Sequence, residues 1–175
     1  MILPPVIAVR GLFWRMLAPK WAHDPLSGAG TTARGGRHNE PNMPALYMSE
    51  QFATCIAEYE QDLGIRPGTL CAYDIDVSDV VDLCDAGVLA ASGIEADDLR
   101  YPWKQIAFIA KRRPPTWDIA RRLFDAGASG IRVPSVQAMG GTNLVLWRWN
   151  DAPGRKATAL DPLGDLPRDQ RSWEH

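Results

Sequence analysis

Residues 45–64 read Ala45-Leu46-Tyr47-Met48-Ser49-Glu50-Gln51-Phe52-Ala53-Thr54-Cys55-Ile56-Ala57-Glu58-Tyr59-Glu60-Gln61-Asp62-Leu63-Gly64. Two periodicities meet in this stretch. Ala45–Met48 is a short apolar run suited to a strand. From Phe52 onward the apolar residues Phe52, Cys55, Ile56, Tyr59 and Leu63 recur at steps of three and four, the repeat of an amphipathic helix. Ser49 is the expected N-cap and Gly64 the expected stop. A strand running straight into a helix, with no regular strand–helix alternation elsewhere, predicts an α+β fold.

The flanks agree with that class. Leu12–Met16 is aromatic and apolar and reads as a strand, followed by a Pro/Gly/Ser/Thr-rich loop over 18–36. Downstream, Thr69–Ile75, Ser129–Val133 and Asn143–Trp149 are further strands, the last of them the strongest. Residues 78–100 fit no single element. Pro102 opens an expected buried helix through Ala110. Thr116 is expected to cap another, which carries Trp117, Ala120, Leu123 and Phe124 on one face. A Pro/Gly loop covers 134–142. The chain beyond Asn150 is polar and Pro-punctuated, so the expected division is a domain over 1–150 and a polar tail over 151–175.

Composition excludes several classes. With 175 residues, 46% hydrophobic and 23% charged, the chain has the balance of one globular domain. A net charge of −2 supplies no footprint for direct nucleic-acid binding. The longest uncharged run, Val133–Trp147, contains two adjacent glycines and is too short for a membrane span. Met1–Pro5 lacks the basic segment of a signal peptide. Three cysteines, with no CxxC, point to a reducing cytoplasm, and Cys55 and Cys71 lie in apolar segments as core residues do. Three histidines form no ligand cluster, so no metal is expected, although carboxylate-bound Mg²⁺ stays open.

Four groups of residues could carry chemistry. Gly28-Ala29-Gly30 and Gly35-Gly36 lack the Gly-Lys-Ser/Thr ending of a phosphate loop and the flanks of a dinucleotide fingerprint. Gly35-Gly36-Arg37-His38-Asn39 is more specific, because glycines admit a ligand near the backbone and a guanidinium can fork onto phosphate or carboxylate oxygens. Glu58 and Glu60 stand two residues apart. On a helix they point about 200° from one another, so only one can face a shared site, and periodicity does not choose between them. Ser135 follows a strand but has neither a nucleophile elbow nor a histidine partner, which disfavours a serine hydrolase. The tryptophans at 14, 103, 117, 147 and 149 are expected mostly in the core. The Arg112-Arg113 and Arg121-Arg122 pairs are expected on solvated faces or at protein-contact sites.

Taken in order, these pieces resemble the RES-domain toxins of bacterial type II toxin–antitoxin systems. The Arg, Glu and Ser of the family name match Arg37, Glu58 and Ser135. Trp14-Arg15, Leu46-Tyr47-Met48-Ser49 and Asn143-Leu144-Val145-Leu146-Trp147 support the match, which spans about residues 12–149. The family usually carries an aromatic residue after the arginine, and here it is His38. The resemblance implies an ADP-ribosyltransferase-like split β-sheet flanked by helices, acting on NAD⁺ without a metal. It assigns Arg37 to a phosphate or ribose oxygen and Tyr47 to stacking on nicotinamide or its ribose. It assigns Glu58, rather than Glu60, to the nicotinamide ribose. Ser135 would hydrogen-bond the substrate and organise its loop, and Arg15 is a weaker phosphate contact. The implied activity is transfer of ADP-ribose to a cellular protein, with NAD⁺ hydrolysis or phosphorolysis as the alternative. A non-catalytic interaction protein with a retained fold is the reading from another class. The implied partner is an Xre-like antitoxin whose C-terminal segment blocks the pocket and which would itself make any DNA contact.

Overall fold

The computed structural model describes residues 3–61 and 64–171. Six strands form one mixed sheet: β1 (Ile7–Leu17), β2 (Leu46–Ser49), β3 (Thr69–Asp82), β4 (Gly130–Pro134), β5 (Thr142–Leu146) and β6 (Arg155–Leu160), in the order β1-β2-β5-β4-β3-β6 with a further β1–β3 pairing. The helices are α1 (Ala29–Arg34), α2 (Phe52–Glu60), α3 (Ala86–Ser92) and α4 (Pro115–Asp125). The α+β expectation holds.

The long β3 makes the sheet split. Its first part lies antiparallel between β1 and β6, from Thr69 opposite Leu17 to Val77 opposite Val9 and Arg155. Asp79 then takes a positive φ of 60°, and residues 80–82 run parallel to β4. On the far side β2 pairs with β5, and β5 with β4. β1 and β2 touch at the Trp14–Ser49 pair, where the two halves meet.

The run Leu144–Trp147 explains why β5 is apolar without alternation. Leu144 and Leu146 face the core between the sheet halves, with Phe13, Leu46, Tyr73 and Ile75. Val145 and Trp147 face a second core, against Ile119, Ala120 and Leu123 of α4 and Ile131 and Val133 of β4. A strand buried on both faces reads as a continuous hydrophobic run.

Several expectations need correction. Ser49 is the last residue of β2 and donates its hydroxyl to Asn143, so it caps nothing; the N-cap of α2 is Gln51. The helix stops at Glu60, where Gln61 takes a positive φ of 42°; Leu63 lies outside the described residues. Phe52 sits outside the core, 56% exposed and edge-on to Trp14. The 18–36 loop holds a 3₁₀ turn (Pro19–Trp21) as well as α1. Residues 102–110 form no buried α-helix but one π turn, Gln105–Ile109, with Phe108 and Ile109 exposed. Pro114 precedes α4, and Thr116 lies inside its first turn. β5 ends at Leu146, before Trp147. The segment read as a tail supplies β6, pairing Ala72–Val77 with Leu160–Arg155. Among the described residues no helix is long and apolar enough to cross a membrane.

Candidate functional site

The Gly36–Asn39 turn is built before the site can be. Gly35 adopts φ 74°, and Gly36 N donates to Asn39 O at 2.8 Å, closing the turn. Two indoles pin it from behind: Trp117 Nε1 donates to Gly36 O at 2.7 Å and Trp147 Nε1 to His38 O at 2.9 Å. Asn39 is fully buried, and its amide donates to Met43 O at 2.8 Å and Thr31 O at 3.0 Å. Its Oδ1 accepts the Tyr47 hydroxyl at 2.7 Å, and that hydroxyl accepts His38 N at 2.9 Å. Glu40, next in sequence, pairs with Arg113 and with Arg121 at 2.6 Å, tying the turn to α4. The basic pairs expected on a solvated face are therefore partly engaged with the turn.

This turn presents Arg37 to a cavity of about 400 Å³, within the size range of small-molecule sites. Tyr47, Glu58, Asn143 and His38 share the lining with Pro102, Trp103, Lys104 and Gln105. Arg37 Nη1 donates to Tyr101 O at 2.7 Å. Burial pulls the Arg37 guanidinium below its ordinary pKa, while Glu58 and Tyr47 oppose that shift. Burial also raises the Tyr47 phenol, which stays protonated.

Glu58 is the most constrained carboxylate of the site. Ser135 Oγ and Asn143 Nδ2 both donate to its Oε1, each at 2.7 Å. Ser135 Oγ accepts Ala138 N at 2.9 Å and Gln137 N at 3.2 Å, so it fastens the 135–141 loop to the carboxylate. Asn143 is oriented in turn by the Ser49 hydroxyl at 2.7 Å. The pairing of β4 with β5 sets Val133 opposite Asn143, so one hairpin delivers both donors. Among the described residues Oε2 takes no hydrogen bond and stays available to a ligand. Glu60 lines neither this cavity nor its neighbour.

The neighbouring cavity, about 230 Å³, shares Thr31, Tyr47, Glu58, Gln61 and Asn143 with the first and adds Trp14, Arg15, Met16, Cys55 and Tyr59. The Glu58 carboxylate thus stands at the junction of two hollows. Arg15 is turned toward the loop: Nη1 donates to Pro25 O at 3.0 Å and to Ser27 O at 3.3 Å. Cys55, 5% exposed, has its thiol pushed up to about 11 by burial, as a core cysteine and not a nucleophile would. The structure brings Arg37, Tyr47 and Glu58 to one cavity and places Arg15 in the second hollow; Ser135 lines neither hollow, and its hydroxyl serves Glu58 and its own loop in place of the expected substrate contact. Sequence reasoning missed Asn143, Trp103, Lys104 and Gln105. A readable signal existed only for Asn143, a polar residue opening an otherwise apolar strand.

His38 has a consequence for stability. It is 4% exposed, and burial, helped by Arg37, drops its imidazole to about 3; its Nδ1 has no partner. Between pH 6.5 and 3 the unfolded chain binds a proton that the folded chain refuses, so stability falls as pH falls. Chemical unfolding at pH 7 and pH 5 should differ by about 2 kcal/mol more in the wild type than in His38→Phe. Equal differences would show that His38 does not titrate this way.

A model of the RES domain family matches residues 12–169. The chain belongs to the RES family. Among curated proteins none matches. A similar solved structure is a chain of the MbcT–MbcA toxin–antitoxin complex of M. tuberculosis, 24% identical, with a TM-score of 0.63 over 90% of this RES chain and 87% of that one. That likeness is one of fold. Among the described residues of this RES protein, no group of three or more His, Cys, Asp or Glu side chains could hold a metal ion.

Proposed function

We propose that this RES protein is the toxin of a toxin–antitoxin pair and that it consumes NAD⁺, transferring ADP-ribose to a cellular protein. The observation that carries the reading is the Glu58 carboxylate: one oxygen held by Ser135 and Asn143, the other open, at the junction of two cavities, with Arg37 on the wall of the larger. Breaking the nicotinamide–ribose bond sends the bonding pair out with neutral nicotinamide and leaves an oxocarbenium-like C1′. A fixed carboxylate beside that centre stabilises the developing positive charge, as in glycoside cleavage. The open oxygen can also accept a ribose hydroxyl and hold the sugar in its reactive orientation. Arg37, half-buried and within electrostatic reach of Glu58, offsets pyrophosphate charge. The Tyr47 ring complements the cationic pyridinium in the ground state. The acceptor's oxygen or nitrogen then bonds to C1′ and releases its proton.

MbcT and MbcA form a toxin–antitoxin complex, and for this chain the corresponding partner is an Xre-like antitoxin working in the cytoplasm. Its C-terminal segment would cover the cavity, whose lining includes the exposed Val136.

Purified protein incubated with labelled NAD⁺, with and without phosphate and cell lysate, tests the activity. A labelled protein band is expected. Soluble ADP-ribose, or its 1″-phosphate when phosphate is present, would replace transfer with hydrolysis or phosphorolysis. NAD⁺ surviving every condition would overturn the enzymatic reading in favour of an inert protein with the same fold.

A further inference from the structure

We propose that Trp103 is the stacking platform for the purine base of the dinucleotide, so that the strap Tyr101–Gln105 forms the adenosine half of the site. This rests on the NAD⁺ reading above and extends it to the end of the substrate remote from the reacting bond.

The position of Arg37 carries the argument. Glu58 and Asn143 line the cavity, and so do Pro102, Trp103, Lys104 and Gln105 of the strap. Arg37 connects them: it is coupled electrostatically to Glu58, and its Nη1 bonds Tyr101 O at 2.7 Å, at the root of the strap. In the dinucleotide the pyrophosphate lies between the two nucleosides. With the nicotinamide ribose at Glu58 and the pyrophosphate at Arg37, the adenosine falls against the strap.

The tryptophans around the site divide by what their indole N–H groups do. Trp117 and Trp147 spend theirs on carbonyls of the Gly36–Asn39 turn, as structural ties. The Trp103 N–H takes no acceptor among the described residues, and its half-buried ring lines the cavity. Phe108 braces that ring edge-to-face, with centroids 5.6 Å apart and planes at 63°. Phe108 belongs to the π turn Gln105–Ile109, an irregularity often found at functional sites. A braced indole on a cavity wall offers a flat, rigid surface to a purine, at little cost in ordering.

The test is an equilibrium titration of Glu58→Gln protein, which keeps NAD⁺ intact, with NAD⁺, ADP and nicotinamide mononucleotide. Adding Trp103→Ala should weaken NAD⁺ and ADP about tenfold or more and leave the mononucleotide within about twofold. Trp103→Phe should recover most of the affinity while losing the quenching of tryptophan emission that ADP produces. That variant keeps the inference testable if Trp103→Ala fails to fold. Unchanged NAD⁺ and ADP affinity, equal weakening of the mononucleotide, or an unaltered quench in Trp103→Phe would overturn the proposal. Wild-type protein that binds ADP through Trp103 yet leaves NAD⁺ intact would instead overturn the proposed reaction and leave this site standing.

Discussion

Replacing Glu58 by Gln is expected to lower the turnover of NAD⁺ about 10²–10³-fold while changing its dissociation constant less than about threefold. The amide is nearly isosteric, and its oxygen can still accept from Ser135 and Asn143, both 2.7 Å from Oε1 in the native site. The 135–141 loop and the α2 anchor should therefore stay in place. What disappears is the negative charge next to C1′, which matters mainly once positive charge develops there. An interaction made chiefly in the transition state appears in kcat, not in binding. The range is that measured when one preorganised electrostatic contact is removed from other enzymes. Glu60→Gln, two residues along the same helix and outside both cavities, should remain near wild-type activity. Equal losses in the two variants, or full NAD⁺ loss by Glu58→Gln, would remove Glu58 from the chemistry.

The contrast between Glu58 and Glu60 shows what a sequence can and cannot settle here. Helical periodicity announced α2 and placed the two carboxylates on different faces. Choosing between them needed the partners, and both partners come from a hairpin some 80 residues away. Elements with a local cause were readable: β2, α2, α4, and the doubly buried β5. Elements with a tertiary cause were not. β6 is polar because it is an edge strand, with Lys156 and Thr158 exposed and only Ala157 fully buried. It exists because β3 offers it a ladder. The strap at 101–110 carries the apolar spacing of a buried helix, yet Phe108 and Ile109 face outward and Trp103 lines the cavity. Ser49 and Thr116 have cap chemistry and no capping role. One orients Asn143, and the other is buried in α4 with its hydroxyl unpartnered. Tertiary contacts override local preference at each of these positions.

Gly36→Ala should abolish activity and cost about 2–4 kcal/mol of stability, through overpacking and the loss of buried hydrogen bonds. Gly36 lies in ordinary backbone space, so the cause is contact, not conformation. A Cβ there would fall 2.7 Å from Asn39 Oδ1 and 2.8 Å from Tyr47 Cζ, and closer still to the Tyr47 hydroxyl. None of these atoms can retreat cheaply. The Tyr47 hydroxyl holds His38 N and Asn39 Oδ1, and the Asn39 amide holds Thr31 O and Met43 O. Displacing the tyrosine breaks the cluster that shapes the turn carrying Arg37 and shifts a residue that lines both cavities. A double-mutant cycle separates this from general destabilisation. Tyr47→Phe removes the hydroxyl that clashes, and with it the two bonds that Gly36→Ala would break. The double variant should therefore be no less stable than the sum predicts and closer to Tyr47→Phe alone, a coupling of about 1–2 kcal/mol. Strict additivity in unfolding free energy would place the damage elsewhere in the turn. Activity should remain lost in the double variant, because the Asn39 contact survives and the Arg37 turn stays displaced.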